Sequence, residues 1–267
     1  MDIKKILGES KIIFLDLDGT LFDSKKQLIS PKNGLFLDNM KKSKEIIIST
    51  SRGFDNKVYK VAKKYGINKL ILYNGAKLYD NFSLIKTNYI DIKVLSNLFK
   101  YLTNRKIIFV TFDEQFTNIY LYSKLQIVLA SFVRGVNTNS INNLSINNKI
   151  FKISLILKTP FFTQRLVDNL RILFPGLDIF SSTGNYVVEI TSRFCNKGSA
   201  ASEFCEIMNV DPSYAIHIGD SMTDATCISM LGTVIAMGNG AKEFKKNATY
   251  VGPRSKNGGL YNLFYKK

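Results

Sequence analysis

The most constraining stretch of the chain is Lys11-Ile12-Ile13-Phe14-Leu15-Asp16-Leu17-Asp18-Gly19-Thr20. Its first half is a continuous apolar run rich in Ile and Phe, the pattern of a parallel strand buried on both faces. Residues two apart on a strand point to the same side. Asp16 and Asp18 can therefore both face a crevice at the strand's carboxyl end, where open α/β sheets bind ligands. Gly19 permits a sharp turn, and Thr20 adds a hydroxyl. Two neighbouring carboxylates repel each other and lose hydration together, so a fold that pairs them supplies a cation or a shared proton. A solvated Asp-Gly turn accounts for the D-L-D-G fragment alone equally well.

The same grammar recurs along the chain. Residues 22–30 form a loop or hairpin, and Ser30-Pro31 starts a helix with Ser as its cap and Pro at its first position. A second apolar strand, 45–49, ends in Thr50-Ser51-Arg52-Gly53. Small hydroxyl donors at such an exit can bind phosphate oxygens or cap the following helix, and a helix N-terminus binds anions in either case. A third strand, 69–73, runs into Asn74-Gly75-Ala76. Near the end, Asn196-Lys197-Gly198-Ser199 opens a helix, and the strand 214–218 leads into Gly219-Asp220-Ser221-Met222-Thr223-Asp224. Strands alternating with helices, with polar residues at each strand exit, predict an α/β fold with a doubly wound, Rossmann-like parallel sheet. His217 lies between two isoleucines in mid-strand, a core position.

At 267 residues the chain can hold two ordinary domains. From about 79 to 186 its character changes to short strands at 106–112, 118–122 and 149–157. Helical stretches at 91–102, 125–133 and 161–174 lie between them, and the Asn-rich segment 137–148 reads as a loop. This predicts an inserted α+β domain over 79–186, with 1–78 and 187–267 forming a discontinuous core. The strand at 186–190 is expected to return the chain to that core.

The 37 basic and 21 acidic residues give a net charge of +16. The lysines are spread evenly beside abundant Asn and Ile, and no zinc finger, RNA-binding aromatic motif or basic tail accompanies them. No nucleic-acid partner is expected, although a basic surface attracts anionic substrates. No apolar run reaches the roughly 18 residues of a membrane span. The N-terminus does not read as a signal peptide. Cys195, Cys205 and Cys227 lack CxxC spacing and suit buried free thiols in a reducing compartment. A cytoplasmic protein, monomeric or weakly self-associating, is expected.

In a parallel sheet the strand exits share one edge. Asp16, Asp18, Thr50, Ser51, Arg52, Lys197, Asp220 and Asp224 can thus converge there. Several carboxylates around one point call for a hard cation, and oxygen-only ligands suit Mg2+ beside a substrate phosphate. A lysine and a hydroxyl opposite would neutralise the phosphoryl group.

These strings, in this order, resemble the four motifs of the haloacid dehalogenase-like (HAD) phosphohydrolases. Asn74-Gly75-Ala76, Met237-Gly238-Asn239, Lys245, Ala248-Thr249-Tyr250-Val251 and Gly258-Gly259 are similar to the Cof-type subfamily, in which a type-2 α+β cap is inserted between the second and third motifs. The resemblance covers essentially the whole chain. It implies that Asp16 is a nucleophile and Asp18 a general acid and base. It implies that Asp16, the Asp18 backbone carbonyl and Asp220 hold Mg2+, with Asp224 as a further ligand or a support for the ion's waters or Lys197. Thr50, Ser51, Arg52, Asn74 and Lys197 are implied to bind the phosphate. The activity it implies is a phosphatase of small phosphorylated metabolites acting through an aspartyl-phosphate, with sugar phosphates ahead of flavin mononucleotide and pyridoxal phosphate. A phosphomutase, or a phospho-ligand-binding module with weakened catalysis, is the alternative. Two positions depart from the family pattern: Thr223 stands where Asn is usual, and Asn257 where an acidic residue often precedes the glycine.

Overall fold

The computed structural model describes residues 3–24, 28–131, 135–147, 149–182 and 185–265. A short helix, α1 (Ile3–Glu9), precedes β1 (Ile12–Leu15), in which every residue is buried. Alternation sends Ile13 and Leu15 into one apolar layer and Ile12 and Phe14 into another. The next helix, α2 (Pro31–Met40), starts as its sequence predicts, with the Ser30 hydroxyl accepting from the Asn33 N–H. It is followed by β2 (Glu45–Ser49), α3 (Asn56–Tyr65) and β3 (Lys69–Leu72). Asp55 caps α3, and Gly66 closes it in the left-handed conformation. Two strands then follow, β4 (Lys77–Asp80) and β5 (Ser83–Thr87). Part of the expected loop at 22–30 lies outside the described residues.

The chain divides into two units, Met1–Lys86 with Asn196–Lys267, and Thr87–Cys195. The second unit comprises α4 (Ile92–Asn104), β6 (Ile108–Phe112), β7 (Thr117–Leu121), α5 (Lys124–Ala130), β8 (Asn137–Ser140), β9 (Lys152–Ile156), α6 (Thr163–Leu173), β10 (Leu177–Ser181) and β11 (Val187–Ser192). Its sheet runs β10-β11-β9-β6-β7-β8. The described pairings are antiparallel except β7 with β8. Leu95, Leu98, Phe99 and Leu102 of α4 and Val167 and Leu170 of α6 share an apolar cluster with strand residues such as Phe109, Leu155 and Ile190. The unit is therefore α+β, with limits that differ from the expected 79 and 186. The earlier limit moves because β4 and β5 extend the first unit's sheet. The later one moves because 187–192 pairs with β9 and β10 and does not return to the core. The Asn-rich stretch is not wholly loop: Asn137–Ser140 pairs with β7 at the sheet edge, followed by a 3₁₀ turn at Ile141–Asn143. The last residues of the helix expected over 125–133 lie outside the described residues.

The chain completes the first unit with α7 (Lys197–Ile207), β12 (Ala215–Gly219), β13 (Thr233–Ala236), α8 (Lys242–Asn247), β14 (Tyr250–Val251) and α9 (Gly259–Tyr265). The sheet order is β14-β13-β12-β1-β2-β3-β4-β5. It is parallel from β14 to β3 and antiparallel between β3 and β4. From β1 the chain winds outward through β2 and β3, then returns to β1's other side with β12. The strand order reverses there, making β1 the topological switch point. Leu15 stands opposite Ile48 on one side and Ile218 on the other, so the exits of β1, β2 and β12 are level.

Candidate active site

Asp16 follows β1 directly, and its N–H donates to the Ile218 carbonyl at 3.0 Å, which holds it in the sheet's register. Gly19 then turns with φ +77°, and a Cβ there would run into the Asp220 carboxylate. Lys197 is the first residue of α7, whose start is set by Asn196 accepting from the Ser199 N–H at 3.0 Å. Gly198 lets that helix end meet the 3₁₀ turn Asp224–Cys227, because any Cβ would strike the Thr226 carbonyl.

These constraints bring four distant residues together. The buried Lys197 Nζ donates to Asp16 Oδ1 at 2.7 Å and to Asp224 Oδ1 at 2.8 Å. Asp16, Asp220 and Asp224 each offer an oxygen within 4.8 Å of the others. Asp224 is already saturated with donors. Its Oδ1 also takes a hydrogen bond from His217 Nε2 at 2.8 Å. Its Oδ2 accepts from the Asp220 N–H at 3.1 Å, the Ser221 N–H at 2.8 Å and the Ser221 hydroxyl at 2.7 Å. Thr223 joins through its hydroxyl, 2.8 Å from that of Ser221, so this oxygen still serves the cluster where the family usually carries an amide.

The electrostatics follow from burial. Desolvation raises the Asp16 carboxyl well above its ordinary value despite the attraction of Lys197. It also pushes Asp220 up to about 7, with Asp224 and Asp18 adding repulsion and Lys197 opposing them. Asp224 goes the other way. Burial acts against its charge, but Lys197 and His217 together outweigh it and lower the pKa. Burial likewise acts against the Lys197 ammonium, and Asp16 and Asp224 outweigh it. Three carboxylates against one ammonium leave the cluster short of two positive charges when all are ionised.

The other predicted residues are placed differently. Asp18 does not share the Lys197 cluster. Arg52 grips it with Nε to Oδ2 at 2.5 Å and Nη2 to Oδ1 at 2.8 Å. The same guanidinium reaches Asp55 at 3.0 Å and lies over the Phe22 ring. Arg52, expected on a phosphate, is thus engaged by two carboxylates. Thr50 is buried at the β2 exit, where its hydroxyl accepts from the Arg52 N–H at 3.2 Å, and Ser51 follows it. The Asn74 N–H donates to the Thr50 carbonyl at 3.1 Å, with Asn74 in the left-handed region at φ 59°. All three residues stand at strand exits on the site's edge of the sheet.

Three contributors were not predicted as site residues. Asn239 donates to the Gly19 carbonyl at 2.8 Å and to Asp220 Oδ2 at 3.1 Å, and accepts from the Ser255 N–H at 2.7 Å. It is the polar residue beyond the β13 exit, so the pattern that marks the other sites also marks it. Ser221 lies inside a motif already singled out. His217 is in the core as predicted, yet touches Asp224, and no local signal announces that contact.

The donor set fits a hard divalent cation. Asp16, Asp220 and Asp224 each offer a carboxylate oxygen, and a charge of two balances the cluster. Asp220 Oδ1 carries no hydrogen bond among the described residues, and Asn239 steadies its other oxygen. Asp16 and Asp220 are the available ligands, since the five donors on Asp224 make it an anchor for Lys197 and for the 220–221 backbone. Two nearby buried hydroxyls, Thr20 Oγ1 and Ser49 Oγ, have no hydrogen-bond partner among the described residues.

Comparison with known proteins agrees with this architecture. The family model for haloacid dehalogenase-like hydrolases matches residues 13–264. A phosphatase of Bacillus subtilis strain 168, YwpJ, is 24% identical over 90% of this chain and 94% of its own. A putative phosphatase of Mycoplasma pneumoniae is 22% identical over 91% of this chain and 92% of its own. Among solved structures, a sugar phosphatase of HAD subclass IIB superposes with a TM-score of 0.81 at 18% identity, covering 95% of this chain and 97% of that one. A haloacid dehalogenase-like hydrolase from B. subtilis gives 0.77 at 20% identity, covering 96% and 99%. A switch-point aspartate held by a buried lysine, in a chain matched almost end to end, places this protein among the haloacid dehalogenase-like hydrolases of the Cof type.

Proposed function

We propose that the chain is a magnesium-dependent phosphatase of small phosphorylated metabolites, with sugar phosphates as the leading substrate class. The observation that carries the reading is the buried Lys197 ammonium shared by Asp16 and Asp224, beside an Asp220 poised to take a cation. The likeness to a sugar phosphatase supports the substrate class. No helix among the described residues is long and apolar enough to cross a membrane, which fits the proposed cytoplasmic site of action.

Asp16 attacks phosphorus through a carboxylate oxygen, and the bond to the leaving oxygen breaks as Asp18 delivers a proton to it. Asp18 then takes a proton from water, whose oxygen attacks phosphorus and breaks its bond to Asp16. Splitting one hard displacement into two lowers each barrier. Lys197 holds a phosphoryl oxygen with the N–H left after its two carboxylates are served, and Thr50, Ser51 and Asn74 line the same edge. Arg52 must release Asp18 before that carboxyl reaches a leaving oxygen, and an incoming phosphate is the natural competitor for its guanidinium. Bound between Asp16 and Asp220, Mg2+ would neutralise phosphoryl charge and offset the repulsion between the attacking carboxylate and its target.

The test is hydrolysis of p-nitrophenyl phosphate with magnesium and after chelation. Activity should require the ion and vanish in Asp16→Asn. Turnover surviving in that variant removes Asp16 as nucleophile, and turnover indifferent to chelation removes the metal. Product analysis with a sugar monophosphate separates hydrolysis from transfer within the sugar.

A further inference from the structure

We propose that His217 is a positioning residue of this site, fixing Asp224 Oδ1 from beneath so that Lys197 stands in register with Asp16; the inference rests on the phosphatase reading above. His217 is fully buried in the middle of β12, paired in register with Phe14 and Val234. Strand alternation puts it in the layer of Ala215, where Phe204 and Cys227 also pack. Its Nε2 lies 2.8 Å from the Asp224 oxygen that also receives Lys197.

The hydrogen-bond pattern assigns the tautomer. Asp224 beside Lys197 is ionised and can only accept, so Nε2 carries the proton. Nδ1 has no partner among the described residues. A proton there would be a buried donor without an acceptor, so the ring is neutral with a bare Nδ1. Burial lowers its pKa in the same direction. Neutrality matters to the cluster, because His217 holds Asp224 without adding the charge that a second lysine would bring. Three donors already fix Asp224 Oδ2. His217 supplies the fixing of Oδ1 that does not come from Lys197 itself. Without it, Lys197 is the one remaining donor on Oδ1, and the 2.7 Å contact with Asp16 loses that independent support.

Two variants separate positioning from packing. His217→Met keeps bulk and removes the donor, whereas His217→Gln places an amide N–H near the position of Nε2. Loss of a supporting partner of this kind costs about tenfold to a hundredfold in activity. The Met variant should lose that factor in kcat with KM little changed, and the Gln variant should recover much of it. A Met variant that unfolds normally and keeps wild-type kcat overturns the proposal, as does a Gln variant no better than Met. The chain has one histidine, so 15N spectra of the labelled wild-type protein report on this ring alone. They should show a proton on Nε2 and a bare Nδ1, changing in Asp224→Asn. A proton on Nδ1, or a spectrum indifferent to Asp224→Asn, overturns the proposal whether or not the variants fold. Wild-type protein that turns over no phosphomonoester sinks the phosphatase reading instead, and the spectra still decide the His217–Asp224 contact.

Discussion

Lys197 is the residue on which the site's charges turn. It is almost fully buried and stays charged because two carboxylates lie within hydrogen-bond reach. Removing one member of a buried ionic cluster leaves the others uncompensated, which costs about 3–5 kcal/mol. Lys197→Met should therefore abolish turnover and lower the unfolding free energy by an amount in that range, read as the shift in denaturant midpoint multiplied by the slope m; a midpoint equal to wild type would show that the ammonium is dispensable to the fold. Asp220 makes a prediction in pH. Its carboxyl is pushed up to about 7 in the folded, metal-free protein, against an ordinary value of 3.8. Between those values the folded chain holds a proton that the unfolded chain releases. The folded state then binds more protons, so this group's contribution makes metal-free stability fall as pH rises through the window. A cation needs the carboxylate, so binding must expel the proton where one is held. Magnesium titrations by calorimetry, in buffers of differing ionisation enthalpy, should show more proton release per ion near about pH 6 than near about pH 8. Asp220→Asn should shrink the difference, leaving the part that belongs to Asp16, whose carboxyl is also raised by burial.

At the scale of elements, the site depends on how closely α7 meets the 3₁₀ turn at Asp224–Cys227. Gly198 sits at that meeting, its N–H donating to Thr226 Oγ1 at 3.0 Å. Gly198→Ala pushes the first turn of α7 away from backbone that cannot yield. Overpacking of this kind costs about 1–3 kcal/mol. Lys197 is the adjacent residue, so kcat should fall much further than stability does; a variant with normal kcat and reduced stability would put the strain elsewhere. Local signals explain why this part of the molecule was legible in sequence. An apolar run with polar residues at its exit is written within about ten residues; Asp16, Asp220 and Asp224 were singled out at such exits and Lys197 at the helix start Asn196–Ser199, and the structure brings the four together. Elements specified by distant pairing were not legible. Asn137–Ser140 carries no apolar pattern and is a strand because β7 offers it an edge. Val187–Ser192 reads like a core strand, and its partners Ile153 and Ile179 decide its sheet. Nothing local shows that Asp18, thirty-four positions away, lies within reach of Arg52.

At the scale of the molecule, each unit has its own core. The apolar clusters around β1 draw all their buried residues from the first unit, and the cluster under α4 and α6 draws all of its own from the second. The eight-stranded sheet and every member of the Lys197 cluster belong to the first unit, although its two segments flank the second in sequence. A buried core of its own is what lets a domain fold alone. Joining Lys86 to Asn196 through a short flexible linker should therefore give a protein that unfolds cooperatively and still binds magnesium with proton release near about pH 6. The two parts also carry different chemistry. Attack, proton transfer and metal binding are assigned to side chains of the first unit, and none is assigned to the second. The shortened protein should hydrolyse an activated ester such as p-nitrophenyl phosphate slowly, and any ranking of metabolite phosphates by the full chain should be lost if residues 87–195 supply the leaving-group contacts. The measurement is kcat/KM for a panel of phosphomonoesters on both proteins. Convergence of the shortened protein toward one low value across the panel assigns discrimination to residues 87–195. A panel profile parallel to that of the full chain would instead place the specificity determinants on the same sheet edge as Asp16.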